Sequence, residues 1–339
     1  MSELPAYVPP GFEPTQRLGA GQTSVVWLAT EKLRAREVAL KLPKPSLQND
    51  PLLRRMFENE VHITLKLDHP NVVRAYDGRP TGPQAFLSLE YCPGGTLDQL
   101  LLERGRLPLE RARDLVHQVA MGLDHTHSSK VLHRDVKPAN VFLGAKGEAK
   151  LGDFGTGTFQ GEDAAERVGT AFYMAPEVFE GISTSVRSDV YSLGVLAYEV
   201  LAGERPFVGD TYDALMFAHL HSLPRDLRAV RPEVGRALSS VVSKSMSRDP
   251  VRRYPDLPAF LAAYREAAGL AAPARTGADG APEVATPATG RGGPRRGDPT
   301  PAVPDSGNER KPAGGPADGG ARERPARGWW PFGRRRGDG

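Results

Sequence analysis

His133-Arg134-Asp135-Val136-Lys137-Pro138-Ala139-Asn140 places a carboxylate, two cations and an amide within one short stretch. The carboxylate can accept a proton, the cations can neutralise phosphate, and the amide oxygen can hold a metal ion. The combination reads as phosphoryl transfer. Moving a phosphoryl group asks little covalent chemistry of a protein but much positioning and charge neutralisation, so the remaining parts have to come from elsewhere in the chain. Asp153-Phe154-Gly155 supplies one of them, a second hard oxygen ligand of the kind Mg²⁺ prefers, to act beside Asn140. Asp135 is then the group that accepts or orients the proton of a substrate hydroxyl, and Lys137 neutralises the phosphoryl group in transit.

The upstream parts are a phosphate cradle and another cation. Leu18-Gly19-Ala20-Gly21-Gln22-Thr23-Ser24-Val25-Val26 is a glycine-rich turn between strand-like runs, where missing side chains let backbone amides approach phosphates. Short glycine turns join strands everywhere, so the turn alone says little. Val38-Ala39-Leu40-Lys41 follows at strand spacing, and a lysine facing a cleft from that strand carries its charge to the phosphates. On its own it reads equally as a solvated strand lysine. Glu60, on the next helical stretch, is the carboxylate that can hold the ammonium in place. Glu58 competes for that role, but two residues along a helix turn a side chain by about 200°, which faces Glu58 to solvent if Val61 and Leu65 face the core.

The elements that position these groups fall into two parts. Alternating apolar and polar residues from Phe12 to about Leu42 predict a twisted antiparallel sheet. Residues 51–67 predict a helix with Leu53, Phe57, Val61 and Leu65 on one face, followed by strands over 72–76 and 85–91. Cys92-Pro93-Gly94-Gly95 is a turn suited to a hinge. Beyond it the pattern becomes helical, over 97–104, 109–128, 186–202, 212–220, 234–247 and 257–267, with the chemistry-bearing loops between the second and third. The expected fold class is α+β and two-lobed. Residues 1–11 form an extension, 12–91 a small β lobe with one key helix, 92–95 the hinge, 96–267 a larger helical lobe and 268–339 a disordered tail.

Composition supports that division. Residues 269–339 hold 16 Gly and 11 Pro, with Trp329, Trp330 and Phe332 the only aromatics, too little apolar surface to offset chain entropy. That segment carries a net charge of +4 within a chain total of +3, so the folded part sits near −1 and lacks the basic face of a nucleic-acid binder. A single cysteine, Cys92, excludes an intrachain disulfide framework and suits a reducing cytosol. The first eleven residues lack the apolar core of a signal peptide, and no apolar run approaches the roughly 18 residues of a membrane span. A cytoplasmic protein is expected.

With these parts in this order, residues 12 to about 266 resemble a protein kinase catalytic domain of the serine/threonine type, most similar to bacterial members. The resemblance extends to Ala175-Pro176-Glu177, to Asp189 in Ser188-Asp189-Val190-Tyr191, and to Arg253. It implies ATP and Mg²⁺ as cofactors and a protein Ser or Thr as acceptor, the latter resting on Lys137. It implies that Glu177 pairs with Arg253 and that Asp189 anchors the catalytic loop. Adenine would sit between Val26, Ala39 and Leu143, with backbone contacts from Glu90 and Cys92 and with Leu89 at the rear. Cys92 is expected to be inert and partly buried, because nothing nearby lowers its pKa.

Three departures from the family pattern stand out. Ser24 replaces a frequent glycine, a change its side chain can absorb by pointing away from nucleotide. The activation segment lacks the usual phosphothreonine position and reads Glu162-Asp163-Ala164-Ala165-Glu166, either fixed charge opposite Arg134 or simply a solvated acidic loop. The four side chains that stack between the lobes are by position Thr64, Ala75, His133 and Phe154. The first two are smaller than usual, which predicts a loosely held helix and low basal activity. The Trp329-Trp330-Pro331-Phe332 cluster among arginines suits a membrane surface, a protein partner, nucleic acid more weakly, or a plain disordered terminus.

Overall fold

The computed structural model describes residues 5, 7–154 and 164–270, with Gln48 and 164–167 described by backbone alone. The acidic run at 162–166 and the aromatic and arginine cluster near the C-terminus therefore lie outside the described side chains.

Strands β1 (Phe12–Ala20), β2 (Ser24–Glu31), β3 (Arg36–Pro43), β4 (Ala75–Arg79) and β5 (Phe86–Glu90) form an antiparallel sheet in the order β1-β2-β3-β5-β4. β3 is the inner strand. Its Val38, Ala39, Leu40, Lys41 and Leu42 are all buried, because β2 and β5 flank it on both sides. A second small sheet pairs β6 (Val141–Leu143) with β7 (Ala149–Leu151). The helices are α1 (Pro51–Thr64), α2 (Leu97–Arg104), α3 (Leu109–Ser128), α4 (Ala164–Ala171), α5 (Pro176–Phe179), α6 (Val186–Ala202), α7 (Tyr212–His221), α8 (Leu227–Val230), α9 (Gly235–Ser245) and α10 (Leu257–Ala268).

Local chemistry sets the helix ends. Asp50 accepts from the Leu52 and Leu53 amides and Pro51 starts α1 in a conformation already helical, so the helix begins at that point. Ser185 and Ser188 cap α6 reciprocally, and Gly203 closes it with φ 81°, a left-handed turn that only glycine adopts without strain. Thr211 and Asp256 cap α7 and α10 by accepting from the Ala214 and Ala259 amides.

Burial is unequal between the two parts. Leu115, Val119 and Leu123 of α3 pack with Leu193, Leu196 and Val200 of α6 in one continuous core that also takes in α9 and α10. Each such side chain contributes about 1.5–3 kcal/mol on leaving water. The sheet half is held instead by three small clusters, one of which joins Phe57 and Val61 of α1 to Leu87 of β5.

Two expectations need correction. α1 ends at Thr64, and Leu65 is exposed rather than core-facing, because each step of four residues overshoots a full turn by about 40°, and three steps from Leu53 carry it off the buried face. The strand expected over 72–76 begins only at Ala75; Val72 instead makes an isolated bridge with Leu151, tying the sheet half to β7. Among the described residues no helix is long and apolar enough to cross a membrane.

Candidate active site

On β3, the register that pairs Lys41 with Val26 on one side and Leu87 on the other leaves the lysine 2 % exposed. Its ammonium forms an ion pair with Glu60 of α1 and lies 3.6 Å from Asp153 Oδ1. Glu60 is therefore the partner, while Glu58 is half-buried on another side of the helix. Burial, with the Asp153 charge adding to it, raises the Glu60 carboxyl above its ordinary value, against the pull of Lys41. Thr64, one turn further, spends its hydroxyl on the Glu60 carbonyl at 2.7 Å.

The loop from His133 to Asn140 hangs from α6. Asp189 accepts the His133 amide at 2.9 Å on one oxygen and the Arg134 amide at 2.9 Å on the other, and His127 Nε2 lies 2.8 Å from it. His133 accepts the Asp135 amide on Nδ1, so its Nε2 carries the proton and donates to the Gly152 carbonyl at 3.1 Å. Its ring packs on Phe154 with centroids 5.0 Å apart. Arg134 and Asp153 adopt φ of 67° and 64°, left-handed conformations that cost non-glycine residues about 1–2 kcal/mol. Both strained residues flank the chemistry, which is where such strain concentrates.

Within this frame the two oxygens of Asp135 differ. Oδ2 accepts from Asn140 Nδ2 at 2.9 Å and from Lys137 Nζ at 2.8 Å. Oδ1 is buried and has no hydrogen-bond partner among the described residues. Lys137 also donates to Thr170 Oγ1 at 2.8 Å, and Asn140 to the Asp135 carbonyl at 2.8 Å. One oxygen is thus held in place while the other keeps its acceptor capacity for an incoming O–H. Asn140 spends its NH₂ on Asp135, so its amide oxygen and the Asp153 carboxylate are the hard donors left for a cation. Among the described residues no three His, Cys, Asp or Glu side chains gather to hold a metal by themselves, so substrate oxygens would have to complete any shell.

The cleft between sheet and loop is lined by Ala39, Val73, Leu89, Cys92, Phe142 and Gly152 together with Lys41 and Asp153. Leu143 is a correction. Phe142, one residue earlier, packs with Leu18, Val26, Ala39, Val73 and Cys92, whereas the Leu143 side chain joins the helical core. A strand turns successive side chains to opposite faces, so a slip of one residue exchanges cleft for core. Leu143 still borders the hinge through its backbone, exchanging hydrogen bonds with Gly94 and Gly95 at 2.9 Å.

At the hinge the Glu90 amide is taken by the Arg74 carbonyl and the Cys92 carbonyl by the Gly95 amide. Lys150 reaches from β7 to Glu90 at 3.2 Å, an ion pair across the hinge that nothing in the sequence singled out. Cys92 is fully buried rather than partly so, and burial pushes its thiol up to about 12, which keeps it unreactive. In the glycine-rich turn the Gly21 amide donates to the Ser24 carbonyl at 2.8 Å, and Gly19 and Ala20 pair with Val26 and Val25. Leu18, Thr23 and Ser24 are buried and Gln22 is half-buried. The Ser24 hydroxyl is turned into the protein and lacks a partner among the described residues.

Below the loop, Glu177 and Arg253 form a bidentate pair at 2.8 and 2.7 Å, and Ser188 donates to the same carboxylate. Burial alone would raise the Glu177 carboxyl, but the guanidinium and these donors hold it below its ordinary value. Sequence reasoning also missed Tyr173 and Arg205, which both bind the Glu199 carboxylate. No motif marks Arg205, and only the fold brings it to Glu199.

The protein kinase domain family matches residues 12–258. Among curated proteins, the chain is 35 % identical over 248 residues to the serine/threonine-protein kinase PknA of Corynebacterium glutamicum, covering 70 % of this chain and 52 % of that protein. It is 34 % identical over 261 residues to the serine/threonine-protein kinase PknB of Mycobacterium tuberculosis, covering 74 % and 42 %. The chain thus aligns with about half the length of the curated relatives it matches.

Proposed function

From the premise that this chain belongs to the protein kinase family, we propose that it transfers the γ-phosphoryl group of ATP to Ser or Thr hydroxyls of proteins, itself included. The observation that carries the reading is the division of labour on Asp135, with Oδ2 held by Asn140 and Lys137 and Oδ1 left as acceptor.

The geometry supports the following roles. Asp135 orients the acceptor hydroxyl and takes its proton as the new O–P bond forms and the bond from the γ-phosphorus to the bridging oxygen breaks, releasing ADP. Lys137 neutralises the moving charge while bound to Thr170. Lys41, held by Glu60, supplies the second cation for the phosphates, and the backbone of residues 18–26 covers them. Adenine lies between Val26 and Ala39 above and Phe142 below, with base contacts from the Glu90 carbonyl and the Cys92 amide. Asn140 and Asp153 would hold Mg²⁺ together with phosphate oxygens; the ion, when bound, offsets phosphate charge.

The names of the relatives support Ser and Thr as acceptors. The single, buried cysteine supports a reducing, cytoplasmic setting. We keep contact of the Arg-rich end with a membrane surface or a protein partner as part of the proposal.

Phosphopeptide mapping after incubation with Mg²⁺ and ATP tests the reading. Wild type should yield phosphoserine or phosphothreonine, and Asp135→Asn should lose nearly all of it. Equal incorporation in both would remove the assignment.

A further inference from the structure

The shelf beside Asp135 carries a cation that the reaction does not use. Thr170, bonded to Lys137, is followed by Phe172 and Tyr173, and Arg205 lies across both rings, 4.0 and 6.0 Å from their centroids. Arg205 Nε donates to Glu199 Oε1 at 3.1 Å, and the Tyr173 hydroxyl donates to the other oxygen. Ser192 fixes the same stretch by donating to the Tyr173 carbonyl at 2.7 Å. The pair is asymmetric towards solvent, since the Arg205 side chain is 39 % exposed and that of Glu199 only 12 %. The carboxylate therefore faces inward with its oxygens satisfied, and the guanidinium is the member of the pair that faces solvent.

Resting on the protein-kinase reading above, we infer that Arg205 is a specificity residue that masks Glu199, so that substrates with a basic side chain beside the acceptor are rejected and those with an acidic one are favoured. A guanidinium anchored on an aromatic face keeps its remaining N–H groups aimed in a fixed direction and suits a carboxylate in a planar, bidentate contact. A basic side chain would meet the like charge first and could reach Glu199 only by displacing Arg205. Buried surroundings oppose the charge on Arg205, but Tyr173 and Glu199 more than offset this and raise its pKa.

The test is a peptide set in which one Thr is flanked, position by position, by Asp, Ala or Arg, assayed with the full chain. Wild type should prefer Asp to Arg at one or more flanking positions by about three- to fivefold, the range of a partly exposed charge contact. Arg205→Ala unmasks Glu199 and should reverse the preference there, whereas Arg205→Lys should keep the wild-type sign. Glu199→Gln frees the cation and should strengthen the acidic preference, a readout that stands if Arg205→Ala fails to fold. A purely structural Arg205 would lower kcat/KM for all peptides alike, and an Asp to Arg ratio unmoved by these variants overturns the inference. Absence of phosphate in every peptide with wild type would overturn the transferase reading instead.

Discussion

Two buried ion pairs, one in each half of the molecule, are built to different specifications. Glu177 and Arg253 are joined by two hydrogen bonds, and the remaining Arg253 donors reach the Ser247, Arg187 and Arg248 carbonyls at 2.6, 2.9 and 2.9 Å. All five N–H groups of the guanidinium are used, with Tyr191 4.7 Å beneath it. Lys41 and Glu60 share their site with a second carboxylate, Asp153, and the helix carrying Glu60 rests on a small cluster against which the short side chain of Ala75 packs. The carboxyl groups move in opposite directions: at Glu177 the Arg253 guanidinium and Ser188 outweigh burial, and at Glu60 burial with the Asp153 charge outweighs Lys41. The helical half holds the loop in one arrangement; the sheet half keeps its contact adjustable, with one lysine between two carboxylates.

The comparison is easiest to break at its rigid end. Arg253→Ala strands a buried Glu177 and should lower stability by about 3–5 kcal/mol, read as a fall in denaturant midpoint. A loss under 1 kcal/mol would mean the helical half is not anchored there. At the adjustable end, Lys41→Met should lower kcat by about 10²–10³-fold, as removal of one preorganised charge donor does elsewhere. Its thermal midpoint should stay near wild type, since the buried Glu60 carboxyl, already raised, is then free to take up a proton. A fall as large as that of Arg253→Ala would erase the difference between the two pairs.

Acid should find the helical half first. His219 is fully buried, bonded through Nδ1 to the Tyr191 hydroxyl at 2.7 Å, and burial depresses its pKa from 6.5 to about 4. The folded protein then binds this proton less readily than the unfolded chain. The stability contribution is complete above pH 6.5 and is lost as pH falls towards 4, about 2 kcal/mol by pH 5. His219→Phe should flatten that part of the pH profile. The smallest effect is expected from Ala75→Leu, which adds apolar contact beside Phe57, Val61 and Leu87 worth about 1 kcal/mol and should raise turnover a few-fold. Unchanged or reduced turnover would count against a loosely held α1.

Legibility followed the length and punctuation of the elements. The long helices α3 and α6 occupy the residues their periodicity predicts, α6 because Ser185 and Gly203 end it locally and α3 because its 20 residues keep one apolar face against the core. The loop residues could be grouped from sequence because His133, Asp135, Lys137 and Asn140 lie within one short stretch. Phe142 was misread as Leu143 because a three-residue strand of buried side chains carries no alternation from which to set its face. The Lys150 bridge to Glu90 and the Arg205 mask on Glu199 were invisible for another reason. Each joins residues brought together only by tertiary structure, and neither Lys150 nor Arg205 stands in a motif.

Lys41, Asp135, Asn140 and Asp153 are proposed to form one phosphotransfer site. A single-turnover reaction with Mg²⁺ and ATP in excess over a threonine peptide tests this most directly. The prediction is ADP and phosphothreonine peptide formed in equal amounts; ATP consumed without phosphopeptide, or no consumption at all, would contradict it.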